Sequence, residues 1–93
     1  MKKKRSQLDV IQDMLSSVQD KGGRIKPTHL LYKSNLSYKM MQEYLGLLKE
    51  RGLIVEESSK RDPEKRELVL TDKGLKFLFE YRRMAEFTDA FGL

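Results

Sequence analysis

Four stretches of the chain repeat their apolar residues at the three-to-four spacing of a helix, and one intervening region does not. In the first, Leu8, Ile11, Met14/Leu15 and Val18 fall on one side, while Asp9, Gln12, Asp13 and Gln19 are expected to face water. Ser6 stands where a helix N-cap is needed, and Gly22-Gly23 ends the stretch as a C-terminal cap would. Ile25 follows as a short strand. Pro27 suits the opening turn of a second helix, where its missing N–H would have no helical acceptor, and Leu30 and Leu31 supply the buried face. Ser34-Asn35 then interrupts the pattern, since both side chains compete for local backbone groups. Leu36 plugs the turn, Ser37 is a natural N-cap, and Met41, Tyr44/Leu45 and Leu48 form the apolar side of a third helix. Gly52 closes it, with Lys49 and Arg51 in the last turn complementing the helix dipole.

After Gly52 the period shortens. Residues 53–57 and 66–71 are rich in Leu, Ile and Val, and the polar run 58–65 between them contains Pro63. Thr71 or Asp72 then caps a last helix reaching about Ala90. The expected architecture is mainly α with a small β-hairpin (α+β): a winged helix-turn-helix plus a C-terminal helix. In 93 residues there is room for one modest core. The expected divisions are a basic arm over 1–5, the winged domain over 6–71, and a helix over 72–93 that serves dimerisation. Folds of this order commonly place their third helix in a DNA major groove.

The net charge of +5 is unevenly spread. Lys2, Lys3, Lys4 and Arg5 hold four positive charges, and residues 24–49 carry Arg24, Lys26, Lys33, Lys39 and Lys49 against Glu43 alone. Lys60, Arg61, Lys65 and Arg66 crowd the hairpin loop against Asp62 and Glu64. The remaining segments are mildly acidic. Such separation points to a polyanionic partner. The arm reads either as a phosphate-binding tail or as a solubility tail, and the loop either as a DNA contact or as a solvated turn.

With Met41, Leu45 and Leu48 inward, Tyr38, Lys39, Gln42, Glu43, Gly46 and Lys49 share the opposite face. Gln42 can bond adenine bidentately, and Lys39 can reach guanine acceptors or a phosphate. Tyr38 offers a ring to a thymine methyl and a hydroxyl to phosphate. Ser37 suits a phosphate at the helix N-terminus. Glu43 would repel phosphates unless it pairs with Lys39 or accepts from a cytosine amino group. The expected contacts to double-stranded DNA are Ser37, Tyr38, Lys39, Gln42 and Lys49, with Lys60, Arg61, Lys65 and Arg66 from the wing.

The last helix is apolar on two sides. Phe77, Tyr81, Met84, Thr88 and Phe91 form a heptad-like seam, and Leu75, Leu78, Phe79 and Ala85 lie roughly opposite. One small domain normally buries only one such face. Leu75, Leu78 and Phe79 are therefore expected on the domain's own core, leaving Phe77, Tyr81, Met84 and Phe91 for a second copy. The competing reading folds the seam back onto the first helix.

Other functions find little support. His29 is the only histidine and cysteine is absent, which leaves no metal or nucleophile constellation and no disulfide. Gly22-Gly23 lacks the spacing of a phosphate loop. No catalytic residue, metal, cofactor or small-molecule ligand is expected. No apolar run approaches the ~20 residues that span a bilayer, and the basic start leads into amphipathic sequence rather than a secretory signal, so no membrane is expected as a partner. A cytoplasmic, nucleoid-associated place follows. The alternative from another class is a winged helix used only for protein–protein contact.

The run K-S-N-L-S-Y-K-M-M-Q-E-Y-L-G-L-L-K-E-R-G-L-I, with the later L-T-D-K-G-L-K-F-L, resembles the small archaeal winged-helix family that includes Sulfolobus chromatin proteins. The resemblance runs from the first helix to the end. It implies duplex DNA binding, with Ser37, Tyr38, Lys39 and Gln42 toward the groove, and dimerisation through an antiparallel coiled coil of C-terminal helices. The last helix here is shorter than in some members and ends in an apolar tail, which leaves the dimer geometry open.

Overall fold

The computed structural model describes residues 6–93; the basic arm expected over 1–5 lies outside them. The elements are α1 (Gln7–Asp20), β1 (Arg24–Ile25), α2 (Pro27–Ser34), α3 (Tyr38–Glu50), β2 (Ile54–Ser58), β3 (Arg66–Leu70) and α4 (Asp72–Ala90). The three strands form an antiparallel sheet in the order β1-β3-β2. A winged helix-turn-helix with a C-terminal helix is the result.

Local chemistry sets the ends of the elements. The Ser6 hydroxyl accepts from the Asp9 N–H, and the Asp9 carboxylate accepts from the Ser6 N–H, so α1 opens on a reciprocal capping box. Between α2 and α3, Asn35 adopts the left-handed conformation at φ 53°. Its short polar side chain makes that conformation cheaper than most residues would. Thr71 does double duty beyond the sheet. Its hydroxyl caps α4 by accepting from the Gly74 N–H and donates to the Gly52 carbonyl at 2.6 Å, tying α4 to the end of α3. Gly74 is required there, because a Cβ would strike the Leu53 carbonyl oxygen and lie 2.6 Å from Leu70 Cδ1.

One core holds the domain together. Met14, Leu15, Val18, Leu30, Leu48 and Ile54 have no exposed surface, and Leu68 and Leu78 almost none. The α1 expectation needs one correction: Val10 is buried and Leu8 is 47% exposed. The inward face of α1 follows positions 10, 11, 14, 15 and 18, and Leu8, at the first turn, lies beyond it beside α4.

The expected division of α4 is also corrected. Leu78 is buried as anticipated, but Leu75 and Phe79 are exposed at 43% and 60%. Phe77 instead packs on the domain's core and stacks on Tyr81, whose hydroxyl donates to the Asp9 carboxylate. The helix is docked along Gly74, Leu78 and the Phe77–Tyr81 edge, so its contact line is rotated from the one the spacing suggested. Past Tyr81 the helix leaves the core. Arg82 still donates to Gln19 at 2.9 Å, but Met84, Phe87 and Phe91 are exposed. The principal extents of the molecule are 49 × 28 × 22 Å.

Candidate nucleic-acid interface

The orientation of α3 follows from its burial. Met41, Leu45 and Leu48 point inward, and Leu36 in the turn packs against the same core. That leaves Tyr38, Lys39, Gln42, Glu43, Gly46 and Lys49 exposed, as their spacing predicts. Ser37 caps the helix by accepting the Met40 N–H at 3.2 Å. Accepting leaves its own hydroxyl proton free to meet a phosphate. Tyr38 is 68% exposed and its ring stands in solvent. Among the described residues, the side chains of Lys39 and Gln42 make no hydrogen bond or ion pair, so of the two roles open to Glu43 the pairing with Lys39 is not formed. Gly46 is exposed on the same face, and a Cβ added there would meet no atom within 4 Å.

The wing lies beside this helix. Its loop is closed by the Ser59 N–H bonding to the Lys65 carbonyl at 2.7 Å and by the Asp62 side chain accepting from Glu64. Lys60, Arg61 and Lys65 are exposed at the tip, where they line a cleft of about 340 Å³ with Arg24 and Lys26. Arg24 is already engaged, 2.9 Å from Glu57 and 3.6 Å from Glu67.

Two of the nine expected DNA contacts differ from the rest. Lys49 Nζ lies 2.6 Å from Glu56 Oε2, and Arg66 Nε lies 3.5 Å from Oε1 of the same carboxylate. The Lys49 hydrogen bond, helped by the charges of Lys49 and Arg66, holds the Glu56 carboxyl below its ordinary range against the opposing effect of its partial burial. Periodicity gives no sign of Glu56, because the contact joins three elements and depends on strand register. At the other end of the molecule, the hydrogen bond to Asp9, then burial and the Asp9 charge, push the Tyr81 phenol up. His29 is exposed, and no group of His, Cys, Asp and Glu among the described residues could hold a metal ion. No helix among them is long and apolar enough to cross a membrane.

Comparison with known proteins agrees with this geometry. A family profile described as "Winged helix-turn-helix" matches residues 4–89. No curated protein matches the sequence. Among solved structures, Sso10a-2, a DNA-binding protein from Sulfolobus solfataricus, superposes with a TM-score of 0.76 at 16% identity, covering 94% of this chain and 85% of that one. A winged-helix DNA-binding protein from STIV gives 0.68 at 19% identity, covering 89% and 92%. PcaV, a transcriptional regulator from Streptomyces coelicolor solved with its natural ligand, gives 0.71 at 22% identity; 87% of this chain matches 57% of that longer one. At these identities the likeness shows the fold.

Proposed function

The chain belongs to the winged helix-turn-helix family, and from that premise we propose that it binds double-stranded DNA as a homodimer, without chemistry of its own. The observation that carries this reading is the outward face of α3. A folded domain has no internal use for Lys39 and Gln42, which stand unpartnered beside the exposed Tyr38. The unpaired cations of the wing extend the same positive surface toward a neighbouring stretch of backbone. The four charges of Lys2, Lys3, Lys4 and Arg5 would add to phosphate neutralisation. The same role suits a cytoplasmic protein on the nucleoid.

The dimer reading rests on α4. Met84, Phe87 and Phe91 recur at helical spacing on its free end, exposed at 51%, 58% and 68%, and Leu8 of α1 stands beside Met84. Contiguous apolar surface of this kind usually marks a contact. Of the seam read from sequence, Phe77 and Tyr81 form the inner edge against α1, and Met84 and Phe91 form the part left for a second copy. A two-fold partner would give each dimer two copies of α3 for one duplex.

Footprinting tests the assignment and its biological sense together. The expected result is protection of paired major-groove segments separated by whole helical turns. Protection confined to particular sites indicates a transcriptional regulator, and even coverage of all sequences indicates an architectural protein of chromatin. A chain that protects nothing at low salt would instead be a protein-interaction module, and the DNA reading would fail.

A further inference from the structure

The cations beside the recognition helix fall into two groups that composition does not distinguish. Lys39, Lys60 and Lys65 have side chains with no hydrogen bond or ion pair among the described residues. Lys49 and Arg66, by contrast, converge on Glu56. Lys49 donates to Oε2 at 2.6 Å, Arg66 Nε stands 3.5 Å from Oε1, and Arg66 Nη2 donates to the Glu56 carbonyl at 3.2 Å. A further bond at 3.2 Å runs from Arg66 Nη1 to Ser58 Oγ.

Register explains why this glutamate and not its neighbour is in place. Glu56 lies opposite Leu68, and Ser58 lies opposite Arg66, so these residues share the sheet face turned toward α3. Glu57, opposite Glu67, points to the other face and pairs with Arg24. The backbone on both sides of the junction is held by the core, since Leu48 next to Lys49 and Ile54 at the start of β2 are fully buried. The side chains themselves remain open to exchange. Lys49 is 40% and Glu56 34% exposed, so a phosphate can approach and compete.

The Glu56 carboxylate takes one cation from the end of α3 and another from the wing, the same two charge-assisted contacts that a phosphate oxygen pair could accept. We infer that Glu56 is an internal stand-in for backbone phosphate: it keeps Lys49 and Arg66 occupied in the free protein, lowering affinity for arbitrary duplex and setting specificity. This rests on the DNA-binding reading above. Lys49 and Arg66 contribute only where a fitted site delivers a phosphate close enough to displace the carboxylate. Elsewhere, binding depends on the unpaired cations alone. Glu56 thereby raises the contrast between a fitted site and the rest of the duplex, by penalising the latter.

Glu56→Gln keeps the size and an acceptor oxygen while removing the charge. On random-sequence duplex its affinity should exceed wild type roughly tenfold near 0.1 M salt, with log K against log salt steeper by about 1–2. Glu57→Gln makes the same change in net charge on the opposite face, where Glu67 still holds Arg24 at 3.6 Å, and should leave the slope at the wild-type value. In a Lys49→Ala/Arg66→Ala background, adding Glu56→Gln should change nothing further. The inference is overturned by a wild-type slope in Glu56→Gln, by an equal response in Glu57→Gln, or by weaker binding in Glu56→Gln, which would make the carboxylate a brace only. Any of these leaves wild-type DNA binding standing. If neither wild type nor Glu56→Gln binds duplex at low salt, the DNA reading fails and this inference fails with it.

Discussion

Helices α3 and α4 are both amphipathic, yet they end differently. In α3 the apolar side is consumed by the core and the outward face is mostly polar, so the helix is complete within one copy of the chain. In α4 only Gly74 and Leu78 are fully buried, and beyond Tyr81 a line of large apolar side chains stands in water. Hydrophobic spacing shows that a face must be covered without saying by what. For α3 the cover is the domain; for α4 we assign it to a second copy. The unpartnered groups therefore differ in kind: a cation and an amide, Lys39 and Gln42, on α3, suited to nucleic acid, and Met84, Phe87 and Phe91 on α4, suited to another protein surface.

The largest effect expected from breaking this contrast comes from α4. Met84→Glu places a charge in the exposed stripe without touching the core, so the domain should keep its unfolding midpoint and sediment as a monomer. With only one recognition helix per particle, its affinity for a two-half-site duplex should fall roughly a hundredfold or more. A dimer that persists in this variant would move the contact off α4.

Next in size is the loss of readout from α3. Gln42→Ala removes a side chain that supports nothing internal, so stability should hold while binding to the preferred site weakens by ~1–3 kcal/mol if the amide reads a base. Lys39→Ala should also weaken binding, alike on all sequences if it meets a phosphate and most at the preferred site if it reads guanine. Unchanged affinity in both would take α3 out of the interface.

The docked root of α4 supplies a comparable effect on stability instead of binding. Gly74→Ala drives a methyl group toward the Leu53 carbonyl and Leu70, which should destabilise the fold by ~1–3 kcal/mol in denaturant unfolding. A neutral result would mean that α4 shifts easily on the sheet. The smallest change belongs to Phe79→Ser. Phe79 is 60% exposed on another side of α4 from Met84, with the Arg83 guanidinium over its ring 5.9 Å from the centre. Its loss should cost about 0.5 kcal/mol or less and leave the dimer intact. Dissociation by this variant would widen the contact to the other side of α4.

Much of the molecule was legible because local rules fix it. Ser6, Ser37 and Thr71 are caps by chemistry, Pro27 and Gly52 bracket helices, and the burial of Met41, Leu45 and Leu48 follows from spacing alone. What spacing could not supply is rotation about a helix axis relative to a distant partner. For that reason Leu8, expected inward, is exposed while Val10, which the spacing left unassigned, is buried, and Phe77 rather than Phe79 packs on the core. Both pairs are set by how α1 and α4 cross, a contact between residues far apart in the chain. Glu56 was hidden in the same way. As one of two adjacent glutamates it looks like any strand surface, and only the pairing of β2 with β3 turns it toward Lys49 and Arg66.

Titration of wild-type chain with duplex DNA across a series of salt concentrations tests the central claim most directly. Lys39, Lys60, Arg61 and Lys65 are exposed on each copy of the chain. If they all engage, log K should fall linearly with log salt with a slope of about −3 to −4 per protomer, steeper still if Lys2 to Arg5 join. Binding that is absent at low salt, or that does not respond to salt, would contradict the claim.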